Sequence, residues 1–152
     1  MTTDTASSST LLEKIAHHLA GPGIWYGPSG EKVTGEAVAA HLQAAAALME
    51  REGWDPQLYT RESRRSLYYA LDSTRDDGQG DEDTERVAER VVEAVLTAAT
   101  GAPYVRYEAW NHHATRTLAE VLQVCQAAAS VARHYGPGPA TTSPQIEPGQ
   151  NR

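Results

Sequence analysis

Apolar positions recur at helical spacing in five stretches of this chain, separated by Gly, Pro and acidic breaks. From Thr10 to about Ala20, the side chains of Leu11, Leu12, Ile15, Ala16 and Leu19 share one face. Thr10 and Glu13 have capping-box spacing, in which each side chain satisfies a backbone donor of the first turn. Gly21-Pro22 ends the run, and so short a stripe needs a surface to dock on. Thr34 predicts the cap of a second helix ending at Gly53, with Val33 and Val38 placed as a hydrophobic staple. Its inward positions are Val38, Leu42, Ala45 and Met49. Ser63 to about Ser73 forms a shorter third stretch with Leu67, Tyr68, Ala70 and Leu71. The fourth starts at Asp83 or Thr84, carries Val87, Val91, Ala94, Val95 and Ala98, and stops at Gly101 and Pro103. The fifth opens on a second capping-box pair, Thr117 and Glu120, and reaches about His134 before Gly136. Leu118, Val121, Leu122, Cys125, Ala128 and Ala132 make its face.

The connections are less regular. Ile24-Trp25-Tyr26 and Glu31-Lys32-Val33 flank Gly27-Pro28-Ser29-Gly30, the pattern of a β-hairpin. A structureless loop competes with it, because two strands alone are marginal in water. Trp54-Asp55-Pro56 breaks the helical pattern, and Leu58-Tyr59 reads as briefly extended. Asp76 to Asp83 is an acidic, Gly-containing loop, and Tyr104 to His113 is aromatic-rich and irregular. The expected fold is mainly α: a compact bundle of four to five helices, with or without one small β-hairpin. It forms a single domain over residues 10–135, between a disordered N-terminus (1–9) and a disordered tail (136–152) holding four of the 8 prolines.

Composition supports one packed domain: 152 residues, 40% hydrophobic and 22% charged. The core is built from Ala and Val with 3 Trp, 7 Tyr and no Phe, which favours closely packed helices with a few aromatic anchors. A net charge of −7 argues against sequence-independent nucleic-acid binding, which needs clustered Lys and Arg. The single Cys125 cannot form an internal disulfide, and the start of the chain has neither a basic leader nor a continuous apolar run. The expectation is a cytoplasmic protein with no membrane segment. Eleven Arg against two Lys, with abundant Ala and Gly, is the usage of a GC-rich bacterium.

Candidate chemistry concentrates in four places. Between Asp72 and Glu93, nine acids face three arginines, a net of −6. A calcium loop fails on spacing: with Gly78 at the turn, the first and last ligand positions fall on Ser73 and Thr84. A solvated loop, with negative charge at a helix N-terminus, accounts for the run. Arg61-Glu62-Ser63-Arg64-Arg65 has the charge for an anion, yet nothing Gly-rich cradles one there, so surface ion pairs are the favoured reading. Among the histidines, His17-His18 point apart on a helix, and neither H-E-x-x-H nor Cys-rich spacing occurs, so no metal and no cofactor is expected. Cys125 lies on an apolar stripe without a basic neighbour, the setting of a buried small hydrophobe rather than a nucleophile.

The fourth place is Trp110-Asn111-His112-His113-Ala114-Thr115-Arg116-Thr117. As structure, this segment is a turn in which the indole packs, Asn111 bridges and Arg116 bonds backbone carbonyls. As function, it is a polar pocket under Trp110, lined also by Trp54, Tyr59 and Tyr69, with His112 oriented by Glu108 as acid or base. The structural reading is favoured. Gly53-Trp54, Ser66-Leu67-Tyr68-Tyr69-Ala70-Leu71, Trp110-Asn111, Arg116-Thr117 and Glu120-Val121-Leu122 are similar to motifs of a family of small uncharacterised actinobacterial and phage proteins. In that family, Cys-Ala-Leu-Gly-Ala stands where this chain has Ser66 to Ala70, and Trp-Asn-Asp where it has Trp110-Asn111-His112. The resemblance spans Val38 to Tyr135 and implies a helical fold without assigning an activity.

Without a coherent catalytic set, the expected function is a non-enzymatic interaction, accessory or regulatory protein. It would form a homodimer or meet a partner through the N-terminal helix and the Ile24-Trp25-Tyr26 hairpin. The alternative is a small enzyme or ligand-binding protein using Trp110, His112 and Arg116.

Overall fold

The computed structural model describes residues 2–21, 23–55 and 66–139, with backbone only over residues 2–9. Among the described residues the fold is helical: α1 (Thr2–His18), α2 (Gly35–Glu52), α3 (Leu67–Asp76), α4 (Glu82–Thr100), α5 (Tyr107–Asn111) and α6 (Leu118–Tyr135). That is one helix more than expected, because α5 forms inside the stretch read as irregular. The β-hairpin reduces to a single antiparallel bridge between Tyr26 and Lys32. Trp25 and Val33 turn inward to the core while Tyr26 and Lys32 stay exposed, and a lone pair of runs has no third strand to extend it.

Helix starts follow the caps. Thr34 accepts from Ala37 N at 3.0 Å, and Thr117 and Glu120 exchange both bonds of the capping box at 3.2 and 3.1 Å. Two starts differ from expectation. Asp81, not Asp83 or Thr84, caps α4 by accepting from Thr84 N at 2.9 Å, since its carboxylate is the first to precede the uninterrupted helical run. Helical backbone of α1 begins at Thr2, so Thr10 and Glu13 are interior positions of the helix. The start expected for α3 at Ser63 and the extended Leu58-Tyr59 lie outside the described residues. Ser66 caps α3 through Tyr69 N.

α4 is the hub, touching each of the other five helices, while the most extensive pairing joins α2 to α6. Val87, Ala88, Val91, Val92 and Leu96 are buried on α4, so its apolar surface is wider than one stripe. The α2–α6 pairing is close because side chains are missing from it. A Cβ built on Gly35 would lie 2.0 Å from the Ala132 carbonyl oxygen, and one on Gly136 would lie 2.5 Å from Gly35 Cα. Gly136 has φ −77°, so closeness rather than left-handed backbone requires glycine there. Gly35 N donates to Pro137 O at 2.9 Å, which ties the chain just beyond α6 to the start of α2. On the rim, Arg133 binds Glu36 at 2.7 and 2.9 Å and Gln43 at 3.0 Å. Cys125 faces the centre of this packing with no exposure, and burial pushes its thiol up to about 12.

The segment between α1 and α2 hangs on α4 by polar contacts. Arg90 Nη1 donates to the carbonyls of Ile24 at 3.2 Å and Tyr26 at 2.5 Å, and Asp83 accepts from Ser29 N at 3.0 Å. Two residues of the acidic run thus serve the fold. Gly35→Ala is expected to destabilise the protein by about 2 kcal/mol or more despite alanine's better helix propensity, because backbone must move. Gly21→Ala, with open space around it, should stay within about 0.5 kcal/mol. Urea unfolding of both variants distinguishes the cases.

Candidate functional site

The segment from Trp110 to Thr117 lies where α5 turns into α6, beside the end of α2 and the start of α3. Asn111 is fully buried, and its Oδ1 accepts from Trp54 Nε1 at 2.8 Å and from Leu67 N at 3.2 Å. One amide oxygen therefore ties the exit of α2 and the first turn of α3 to α5. Satisfying a helix-start donor from a distant side chain fixes how the three elements approach one another. Trp110 is half-buried against the core. The Arg116 guanidinium stacks 3.8 Å from its ring centroid, while Nε donates to Trp110 O at 2.9 Å and Nη1 to Glu120 Oε1 at 3.2 Å. Stacking, carbonyl bond and ion pair hold one planar group in one place.

The remaining candidates are dispersed. Glu108 meets Arg106 at 3.4 Å on the surface. His112 is exposed, and its link to Glu108 is between main chains, the His112 amide donating to the Glu108 carbonyl at 3.0 Å. Tyr69 is half-buried at the start of α3, edge-on to Tyr68 at 5.3 Å. Tyr59 and the Arg61 to Arg65 cluster lie outside the described residues. Among the described residues, no three His, Cys, Asp or Glu side chains converge as metal ligands would, and no helix is long and apolar enough to cross a membrane.

Buried polar groups that the motifs did not mark stand elsewhere. Tyr107, 2% exposed, donates its hydroxyl to Glu89 Oε2 at 2.9 Å, and its amide to Glu93 Oε2 at 3.0 Å. Burial, then the neighbouring Glu89 carboxylate, pushes the Tyr107 hydroxyl up; burial also raises Glu89, against the pull of Tyr107 and Arg86. Glu85 is 1% exposed with Oε1 3.1 Å from Arg75 Nη1, and burial holds its carboxyl above the usual range. His41 is wholly buried. Helical spacing marks both: His41 shares a face with Val38 and Ala45, and Glu85 with Ala88 and Val92.

Asn111→Ala should cost about 2–4 kcal/mol, because it leaves the Trp54 indole N–H and the Leu67 amide buried without an acceptor. Trp54 fluorescence should shift to the red in the native state. Arg116→Lys keeps the charge but loses the planar stack, and a smaller loss of about 1 kcal/mol is expected in the same urea titration.

Searches of the curated proteins and of the solved structures found no match to this chain. Residues 33–131 match the profile of a family of unknown function, DUF6197, a span that takes in α2 to α5 and most of α6. It overlaps the Val38 to Tyr135 stretch that carried the resemblance, and it contains Asn111, Trp54 and Arg116 with their bonds. Because that match covers well over half of the chain, the protein belongs to the DUF6197 family.

Proposed function

We propose that this member of the family is a non-enzymatic interaction or accessory protein of a GC-rich, actinobacterial cell. It works in the cytoplasm and self-associates through α1 and the turn that follows. The observation that carries the reading is the position of the exposed large hydrophobic residues, Leu12 at 47%, Tyr26 at 39% and Tyr104 at 63%. Leu12 and Tyr26 belong to α1 and its turn, ahead of the family-matched span. Leu12 borders a shallow apolar hollow of about 280 Å³ with Val131, His134 and Tyr135 of α6. Tyr104 borders another of about 190 Å³ with His18, Ile24 and Arg90. Scattered apolar side chains are normal on a surface; rings and a leucine beside concave apolar ground have the makeup of a contact patch.

The alternative, an enzyme or ligand pocket at Trp110, His112 and Arg116, has less support. Arg116 and Asn111 direct their polar groups at the backbone and side chains of the fold, leaving little of the constellation to address a substrate.

Removing residues 1–33 would also strip Ile15, Leu19, Trp25 and Val33 from the core, so point variants give the cleaner test. Sedimentation of the full chain across micromolar concentrations should show a dimer. Leu12→Asp and Tyr26→Ser should each shift it toward monomer while leaving the urea midpoint within the range of a surface change, about 0.5 kcal/mol. A wild-type monomer at every concentration overturns self-association.

A further inference from the structure

Among the described residues, the buried His41 Nδ1 has no hydrogen-bond partner, whereas the buried Glu85 Oε1 is paired with Arg75 at 3.1 Å, and Arg75 acts on both groups. The imidazole sits between α2, the end of α3 and the chain entering α4. Its Nε2 lies 2.9 Å from Leu71 O, so Nε2 carries the proton and donates. Nδ1 then holds a bare lone pair, and the Gly80 backbone is pressed against it: a Cβ built there would fall 2.3 Å from Nδ1. A lone pair tolerates a C–H neighbour, whereas an N–H requires an acceptor that Gly80 does not provide. The carboxylate whose charge acts on the ring is Asp81, and its Oδ1 already accepts from Thr84 N and Thr84 Oγ1 at 2.9 and 2.8 Å. The other charge acting on the ring is Arg75, which repels it and is itself held by Asp72, Asp76 and Glu85.

We propose that residues 77–81 form an acid-released latch, closed on uncharged His41 and opened when the ring takes up a proton at Nδ1. The proton has two means of satisfaction. Either Asp81 leaves its capping bond to Thr84 and turns to the ring, or the loop lifts and admits water. Both remove the N-cap of α4, and the second also separates the loop from α2. Opening costs little apolar burial, because Asp76, Asp77, Gly78 and Gln79 are exposed. Its main-chain ties are Asp77 N to Ser73 O, Gly78 N to Arg75 O and Gln79 N to Thr74 O, at 2.8, 2.9 and 3.1 Å, and Asp81 O accepts from Glu85 N at 2.9 Å.

The direction of the pH effect follows from burial. Burial holds the imidazole below its ordinary 6.5, with the Leu71 and Asp81 contacts opposing and Arg75 assisting. The unfolded or opened chain therefore binds the proton first. The closed form keeps its full advantage above pH 6.5 and loses it as pH falls through the folded value. Glu85 and Glu89, raised by burial, act in the opposite sense, so a variant at His41 itself is needed to separate them.

The test is NMR on the full chain from pH 7.5 to 5. The His41 ring should titrate below 6.5, and Thr84 amide exchange, corrected for its intrinsic pH dependence, should accelerate by up to about tenfold per pH unit between 6.5 and that midpoint and level off below it. Amides of α6 should keep their protection. His41→Gln retains a donor toward Leu71 and should abolish the response. Gly80→Ala should expose Thr84 already at pH 7.5. Titration of His41 at or above 6.5 would overturn the latch, and so would unchanged Thr84 exchange in the wild type. Should His41→Gln fail to fold, the wild-type titration and the Gly80 variant still decide.

Discussion

The close approach of α2 and α6 is the constraint on which the rest of this fold depends. Where Gly35, Ala132 and Gly136 meet, no side-chain atom intervenes between backbones, and the chain beyond α6 returns a hydrogen bond to the start of α2. Two helices this near leave a third side open, and α4 fills it with Val and Ala, residues short enough to keep all three axes close. Trp25 and Tyr107 are buried where the turn after α1 and α5 dock, and Trp54 and Trp110 pack partly buried against the core.

Fastening around the core is polar. Asn111 joins three elements with one oxygen, Tyr107 plugs the side of α4 between two glutamates, and Arg116 clamps the turn into α6. Each is a residue that a search for chemistry selects, because buried polar groups and perturbed titrations are common to structural joints and to active sites. What separates the two is where the donors point. Here they point at the protein's own backbone and side chains, and in a low dielectric such satisfied contacts specify one arrangement of helices.

This also explains what could be seen in the sequence. Thr34, Thr117 and Glu120 announced their helices correctly, because an N-cap is decided by residues within one turn of it. The Val stripe of α4 was legible for the same local reason. The β-prone residues around Gly27 to Gly30 leave hairpin and loop both open, and the described residues pair only as the Tyr26–Lys32 bridge, with Trp25 and Val33 turned to the core. α5 was unreadable because five residues carry no period, and its buried Tyr107 depends on Glu89 and Glu93 from another helix. In the candidate site, the turn role of Asn111 and Arg116 was legible. The partners were not, since Trp54 lies 57 positions away along the chain.

The position of Cys125 has a consequence for handling and for the life of the molecule. With its sulfur fully buried and its proton firmly held, the only thiol of the chain is shielded from oxidants and alkylating reagents for as long as the helices stay together. Its modification rate therefore reads out how often the bundle comes apart, so an intact thiol after prolonged aerobic storage certifies an intact fold.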